Sequence, residues 1–96
     1  MKEDLSQDKV NQETSKIAWS ELQRFFAAGL AVYVDTTLDL VEVAHAFSKD
    51  DKTRVEKWMQ HKYVHLVADQ QAADWIKNDS TVWAVVVKPW ILVQNI

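Results

Sequence analysis

The stretch TVWAVVVKPWILVQ, residues 81–94, decides how this chain folds. Between Val82 and Val93 every residue except Lys88 and Pro89 is apolar, and valine, isoleucine and tryptophan dominate, residues that suit a pleated, buried surface. Read with the two-residue period of a strand, one face carries Val82, Ala84, Val86, Trp90 and Leu92, and the other carries Trp83, Val85, Val87, Ile91 and Val93. Both faces are apolar, so the rest of the fold is expected to cover the stretch on two sides.

The same stretch does not suit a membrane span. It falls short of the roughly 20 apolar residues that a spanning helix needs, and Lys88-Pro89 interrupts it. Pro89 has no amide hydrogen for a ladder, which places it at an edge, a bulge or a bend between two strand segments. Because the N-terminus has no apolar run typical of a signal peptide, we expect a cytoplasmic protein with no membrane partner.

Length and charge restrict the classes of function. Residues 1–10 are mostly polar and charged without periodicity, which predicts a mobile N-terminal tail. The chain length of 96 predicts a single domain over 11–96, and a chain of this size buries about 60 to 65% of the surface of its unfolded form. The net charge of -3 argues against a general polyanion binder. The chain has no cysteine, so it has no disulfide, thiolate nucleophile or cysteine-ligated metal.

The first half of the domain predicts helices around one short strand. Asn11 can cap a short helix through Ile17, and Ser20 with Gln23 has the spacing of a capping box for a helix over 21–28. Gly29 follows this helix at the position where a left-handed glycine commonly ends a helix, and a strand is predicted over 30–34.

Two helices should follow that strand. Asp39 and Glu42 form a second capping box and Leu38 with Val43 a hydrophobic staple, so the sequence predicts a helix that ends near Ser48. Either Asp50 or Asp51 can cap the next helix, which runs through about 61. Its inward stripe is predicted to be Val55, Trp58 and Met59.

The second half completes an α+β pattern. A strand is expected over 63–67, and Asp69 should cap a helix over 70–77 that the turn 78–80 closes. The resulting fold class is a small single α+β domain with three or four mainly antiparallel strands packed against about four helices. A winged-helix-like core is an alternative arrangement of the same elements, because their order is similar.

No catalytic constellation stands out. A single glycine excludes a glycine-rich phosphate loop, and His61 and His65 are separated by the predicted start of a strand. Asp39 and one of the pair Asp50 and Asp51 are explained as helix caps. We therefore predict no enzyme activity, no catalytic or metal site and no cofactor.

Five tryptophans, at 19, 58, 75, 83 and 90, are many for a chain of this size. Large aromatics fill small cores, but tryptophan is also enriched at binding surfaces. The favoured function is a non-enzymatic protein-interaction module. Its partner is another protein or a second copy, paired through the C-terminal strand if that strand lies at a sheet edge. The alternative is a central strand that the helices and the other strands cover fully. The candidate partner surface consists of Trp83, Trp90, Ile91 and Val93.

The alternative function is nucleic-acid binding. Its candidate face lies on the predicted third helix and beside it, and consists of Lys49, Lys52, Arg54 and Lys57. Asp50 and Asp51 stand at the end of the helix that would approach phosphates, and they would repel them. A solvated face of an amphipathic helix explains the same residues more simply.

A resemblance extends over nearly the whole chain after the N-terminal tail. The segments WSELQRFFAAG at 19–29, LDLVEVAHAFSKDD at 38–51, VEKWM at 55–59 and VWAVVVKPWILVQ at 82–94 are similar to a family of short uncharacterised bacterial proteins, domain-of-unknown-function family 2288. These motifs are apolar and cap residues. The resemblance implies a bacterial, cytosolic protein without an established substrate or cofactor, and it assigns no functional residue.

Overall fold

The fold is a five-stranded mixed sheet with helices on both faces. The computed structural model describes residues 14–96. The strands are β1 (Ser15–Ala18), β2 (Ala31–Val34), β3 (Val64–Leu66), β4 (Thr81–Val87) and β5 (Trp90–Asn95). The helices are a 3₁₀ turn (Trp19–Leu22), α1 (Gln23–Ala27), α2 (Leu40–Ser48), α3 (Lys52–Gln60) and α4 (Asp69–Lys77). The tail predicted over 1–10 and the helix start at Asn11 lie outside the described residues.

The strand order is β1-β4-β5-β2-β3. Only β2 and β5 are parallel, and the other three pairings are antiparallel. The predicted α+β class with mainly antiparallel strands is therefore confirmed, with one strand more than expected. The winged-helix arrangement is not adopted, because the helices lie on both faces of a broad sheet.

The opening stretch is a hairpin of two strands. Val87 pairs with Trp90 across a two-residue turn, Lys88-Pro89, whose peptide bond is cis. The bend predicted at Pro89 is confirmed, but the assignment of faces changes. Because the turn contains two residues, Val82 and Ala84 share a face with Ile91 and Val93 and not with Trp90 and Leu92.

The C-terminal strand lies inside the sheet. β5 pairs with β4 on one side and with β2 on the other. Both of its edges already carry ladder hydrogen bonds, so it has no free edge to offer a second copy of the chain. The predicted self-association through pairing of this strand is wrong for that reason.

The two faces of the sheet are covered by different helices. On the back face, the 3₁₀ turn, α1 and α4 cover a cluster built from Trp19, Leu22, Ala31, Val67, Ala72, Trp75, Val82, Ala84, Ile91 and Val93. On the front face, α2 and α3 cover a cluster built from Val32, Val34, Leu40, Val43, Ala44, Val64, Val85 and Leu92. Burial on two sides explains why residues 82–93 are apolar at almost every position.

The start of the described chain differs from its sequence-based prediction. Residues 15–18 form β1, which pairs with β4, and not the end of a helix. The amide of Trp19 then donates to the carbonyl oxygen of Ser80 at 3.0 Å. The Ser20 and Gln23 capping box does not form, because α1 begins with Leu22 as its N-cap residue and no side chain caps it. The pairing of β1 with β4 gives hydrogen-bond partners to the backbone groups along one edge of β4. Local sequence does not reveal that this edge needs a partner.

Two of the other three helix starts follow the sequence. Asp39 caps α2 by accepting from the amides of Val41 and Glu42, at 2.9 and 3.4 Å. Asp51, one of the two predicted candidates, caps α3 by accepting from the amide of Arg54 at 3.3 Å. The predicted Asp69 cap is wrong, because α4 begins at Asp69 itself and its N-cap residue is Ala68, which has no side-chain acceptor.

All four α-helices end in the same way. The residue after each C-cap is left-handed, with φ of +76° at Gly29, +54° at Asp50, +63° at Lys62 and +50° at Asp79. Each motif carries the two backbone bonds of a Schellman stop, such as Asp50 N to Phe47 O at 3.1 Å and Asp51 N to Ala46 O at 2.9 Å. Only Gly29 is the residue type that usually announces this motif.

No helix among residues 14–96 combines the length and the apolarity that crossing a membrane requires.

Candidate functional site

The structure separates the four residues of the predicted partner surface. Ile91 and Val93 are 1% and 0% exposed and lie in the back cluster with Trp19 and Trp75. They are core residues of the monomer and are not available to a partner, which corrects their assignment. Trp83 and Trp90 lie on the front face and are both partly exposed.

The two front tryptophans do not form one surface. Trp90 pairs with Val87, which is four residues along β4 from Trp83, so they stand about 13 Å apart along the strand. Trp83 faces a shallow depression of about 320 Å³ near Leu38 and Gln94. The ammonium of Lys16 lies 5.1 Å from the centre of its ring. Trp83 is therefore partly covered by its own cross-strand neighbour.

Trp90 lies in a groove between α2 and α3. The α2–α3 groove has a volume of about 240 Å³ and is lined by Ala46, Phe47, Asp50, Asp51, Lys52, Val55, Glu56, Met59 and Trp90. Its floor is aromatic and aliphatic, and its charged residues come from the turn between the helices and from the first half of α3. This is the candidate site.

The groove exists because α3 carries more apolar surface than the sheet can cover. Val55 and Trp58 are partly buried, and Trp58 packs against the front cluster, as its helical spacing predicts. Met59, predicted to point inward with them, is 45% exposed. Together with Trp90 it leaves an apolar opening at the hairpin end of the molecule. Sequence periodicity missed this site, because it predicts which side chains share a helix face and not how far the covering layer extends.

The walls of the groove are held firmly. The turn that joins α2 to α3 is fixed at both ends, by the Schellman bonds of Asp50 and Asp51 and by the Asp51 cap. An ion pair between the Arg54 guanidinium and the Glu42 carboxylate ties the two helices together. The guanidinium also lies 5.0 Å from the centre of the Trp58 ring. These contacts connect the two helices that form the walls of the groove.

The rim of the groove is acidic. Asp50, Asp51 and Glu56 contribute three carboxylates and Lys52 one ammonium, a net charge of -2 at neutral pH. Lys49 and Lys88 are close in sequence to lining residues but do not line the groove. The groove therefore combines an apolar floor with a negative rim.

The candidate nucleic-acid residues do not form one face. Arg54 is engaged by Glu42 and Trp58. Lys52 and Lys57 lie about 140° apart around α3, at about 100° per residue. Lys52 lies on the groove side with the acidic residues, and Lys57 is exposed away from it. No described contact joins the predicted basic residues into a stripe that could follow a phosphate backbone.

A second apolar groove lies on the back face. The α1–α4 groove has a volume of about 470 Å³ and is lined by Trp19, Gln23, Phe26, Ala27, Asp69, Ala72, Ala73 and Ile76. Ile76 is 43% exposed, which matches Met59. Asp69 is its single charged lining residue, so its rim carries half the net negative charge of the α2–α3 groove.

A chain of side-chain hydrogen bonds lies on the back face beside the end of β5. Asn95 accepts from the indole nitrogen of Trp75 at 3.1 Å and donates to the hydroxyl of Tyr33, also at 3.1 Å. Burial, and then the negative charge of Asp35, raise the pKa of Tyr33. The hydrogen bond from the Thr37 amide, at 2.9 Å, lowers the pKa of Asp35. Tyr33 packs against the back cluster, so these hydrogen bonds lie at the border of the core. No cluster of three or more potential metal ligands occurs among residues 14–96.

Comparison with known proteins gives relatives but no activity. The NMR solution structure of PA1075 from Pseudomonas aeruginosa superimposes with a TM-score of 0.83 at 45% sequence identity, covering 91% of this chain and 81% of that one. No protein of curated function matches the sequence. A family model described as a protein of unknown function, DUF2288, matches residues 5–95. The chain therefore belongs to the DUF2288 family, as its apolar and cap motifs indicated.

Proposed function

We propose that this protein is a non-enzymatic interaction module that holds an apolar segment of a protein partner in the α2–α3 groove. The observation that supports it is the exposed Met59 and the partly exposed Trp90, which line a formed groove together. Large exposed apolar side chains around a concavity are typical of contact sites. Tryptophan and methionine are also enriched in the centres of protein interfaces.

The size of the groove supports a protein segment over a metabolite. Sites for whole small-molecule ligands have volumes of roughly 300 to 1,000 Å³, and this groove has about 240 Å³. It has room for one or two side chains and leaves the rest of a ligand outside. A segment of a larger molecule, anchored by an apolar side chain, fits that description.

The rigidity of the groove favours binding without rearrangement. The Schellman turn, the Asp51 cap and the ion pair between Arg54 and Glu42 hold both walls in the free protein. A preformed site loses little conformational entropy when it is occupied, so more of the contact energy appears as affinity.

The test is selection of a random-peptide phage library on the full chain, followed by affinity measurement for the enriched peptides. Met59→Ser removes the exposed apolar wall without changing the charge. Ile76→Ser is the matched control, because each residue is the eighth of a nine-residue helix and the two are about equally exposed. We expect about tenfold weaker binding to Met59→Ser and unchanged binding to Ile76→Ser.

Circular dichroism checks that both variants fold. Peptides that bind both variants equally would place the contact outside the α2–α3 groove and overturn the proposal. Peptides lost only on Ile76→Ser would assign the function to the α1–α4 groove instead. A selection that enriches no peptide also counts against it, because a preformed apolar groove should retain some sequences.

A further inference from the structure

The charge on the groove identifies the chemistry of its partner, and this step rests on the proposed function. We propose that the α2–α3 groove binds a basic segment, in which an apolar side chain inserts between Met59 and Trp90 and neighbouring lysine or arginine side chains meet the rim. The carboxylates of Asp50, Asp51 and Glu56 surround the opening, and Lys52 is the single cation among the lining residues.

Two of these carboxylates are free to meet a cation. Asp50 and Glu56 are exposed and make no side-chain hydrogen bond or ion pair within residues 14–96. The third carboxylate, that of Asp51, differs because it accepts a hydrogen bond from the Arg54 amide at 3.3 Å. The rim thus has two carboxylates that no described contact neutralises. It would repel an acidic segment that the apolar floor alone would accept.

The back groove provides an internal comparison. The α1–α4 groove is also apolar and is larger, but Asp69 is its single charged lining residue. If apolar shape alone selected the partner, peptides would bind the larger groove at least as well. Preference for the smaller, more acidic groove would therefore report the contribution of charge.

The experiment neutralises the free carboxylates and keeps the apolar floor. The double variant Asp50→Asn/Glu56→Gln is compared with the control Asp79→Asn/Glu21→Gln, which raises the net charge equally. Asp50 and Asp79 occupy the same left-handed position after their helices, and asparagine tolerates that conformation. Glu21 and Glu56 are both exposed.

Peptides selected on the wild-type chain that depend on Met59 should contain more lysine and arginine than the unselected library. Their affinity should fall about fivefold on Asp50→Asn/Glu56→Gln and by less than about twofold on the control. It should also fall as the salt concentration rises, because exposed charges are screened.

The outcomes separate this inference from the proposed function. Peptides that depend on Met59 but have neutral or acidic flanks, or that bind both double variants equally, would overturn the basic-segment proposal and leave the groove as a binding site. Loss of the dependence on Met59 would remove both proposals. Equal weakening by the two double variants would show a general charge effect and would also overturn the assignment to the rim.

Discussion

The two faces of the sheet use tryptophan for different purposes. On the back face, Trp19 and Trp75 are 0% and 8% exposed, and their ring centres lie 4.7 Å apart. On the front face, Trp58, Trp83 and Trp90 pack against the core but keep part of each ring in solvent. The same residue type thus fills the core on one side and forms surface on the other.

The difference comes from the covering layers. The back tryptophans lie on the 3₁₀ turn and on α4, and they pack inward between the helices and the sheet. Two of the front tryptophans lie on the strands themselves, where α2 and α3 cover only part of each ring. Trp58 lies on the covering helix α3 but is also only partly buried, so the element that carries a tryptophan does not by itself decide its burial. A count of tryptophans cannot distinguish core from surface residues.

Truncating one tryptophan on each face should give the largest contrast. Trp19→Ala is expected to lower the free energy of unfolding by about 3 to 5 kcal/mol, because it empties a fully buried site. Trp90→Ala should cost about 1 to 2 kcal/mol, since its ring is only partly removed from water. Urea unfolding of both variants measures the difference. Equal losses would show that the Trp90 ring contributes as much to the core as the Trp19 ring and would weaken its assignment as a contact residue.

A smaller effect is expected at the polar anchor of the back face. Asn95→Ala should lower the free energy of unfolding by about 1 to 2 kcal/mol, because it leaves the indole N–H of Trp75 without its acceptor. The front tryptophans have no equivalent anchor among their described contacts. Gln94 is not a suitable control, since it donates to Asp35 and Leu38. The matched control is Asn78→Ala, because Asn78 lies at an exposed helix end. An effect no larger than that of the control would show that the anchor contributes nothing.

Substitutions of the left-handed residues after the helix ends should change the free energy of unfolding by about 1 kcal/mol or less. Lys62→Gly, after the front helix α3, should stabilise the protein by about 0.5 to 1 kcal/mol, because glycine adopts φ of +63° without a Cβ penalty. Asp79→Gly, after the back helix α4, should gain less, since aspartate tolerates that region better. Thermal unfolding of both variants checks the order. A loss of stability in Lys62→Gly would contradict the left-handed assignment.

The smallest expected effect is the dependence of stability on alkaline pH. The folded pKa of Tyr33 is raised above its ordinary value of 10.0, mainly by burial and then by Asp35. The fold therefore favours the neutral phenol, and the associated stability is present below pH 10.0 and is lost as the pH rises through the folded pKa. Tyr33→Phe should reduce this loss in alkaline urea titrations, and Tyr63→Phe serves as the reference. Identical curves for wild type and Tyr33→Phe would contradict it.

Much of the fold follows from local sequence. The Asp39 cap and the Gly29 stop are both as predicted. The left-handed residues Asp50 and Lys62 are not announced by a glycine, although each forms the same local backbone bonds as Gly29. The sequence does not predict β1, because its pairing satisfies an edge of β4 more than sixty residues away along the chain.

The candidate groove is only partly predictable. Trp90 lies at the groove and keeps part of its ring in solvent, whereas Ile91 and Val93, which the sequence groups with it, are buried. A two-residue turn at Lys88-Pro89 would have distinguished Trp90 from Ile91 and Val93. Such a turn moves the side chains of the second strand to the faces opposite those that a continuous strand would give. Nothing in the pattern of α3 shows that Met59 extends beyond the layer that buries Val55.

By itself, the sequence determined that the strands of residues 82–93 would need helices on both faces of the sheet, because they are apolar at nearly every position. The cover is incomplete at the hairpin end, where Val86 is 42% exposed. The sequence also determined where α2 and α3 begin, because a capping aspartate acts on amides two or three residues away. The tertiary structure alone decided that the hairpin would lie in the centre of the sheet, which tryptophans would stay in solvent, and that three carboxylates would surround one groove. Those features depend on contacts between segments distant in the chain, whose energies no local pattern contains.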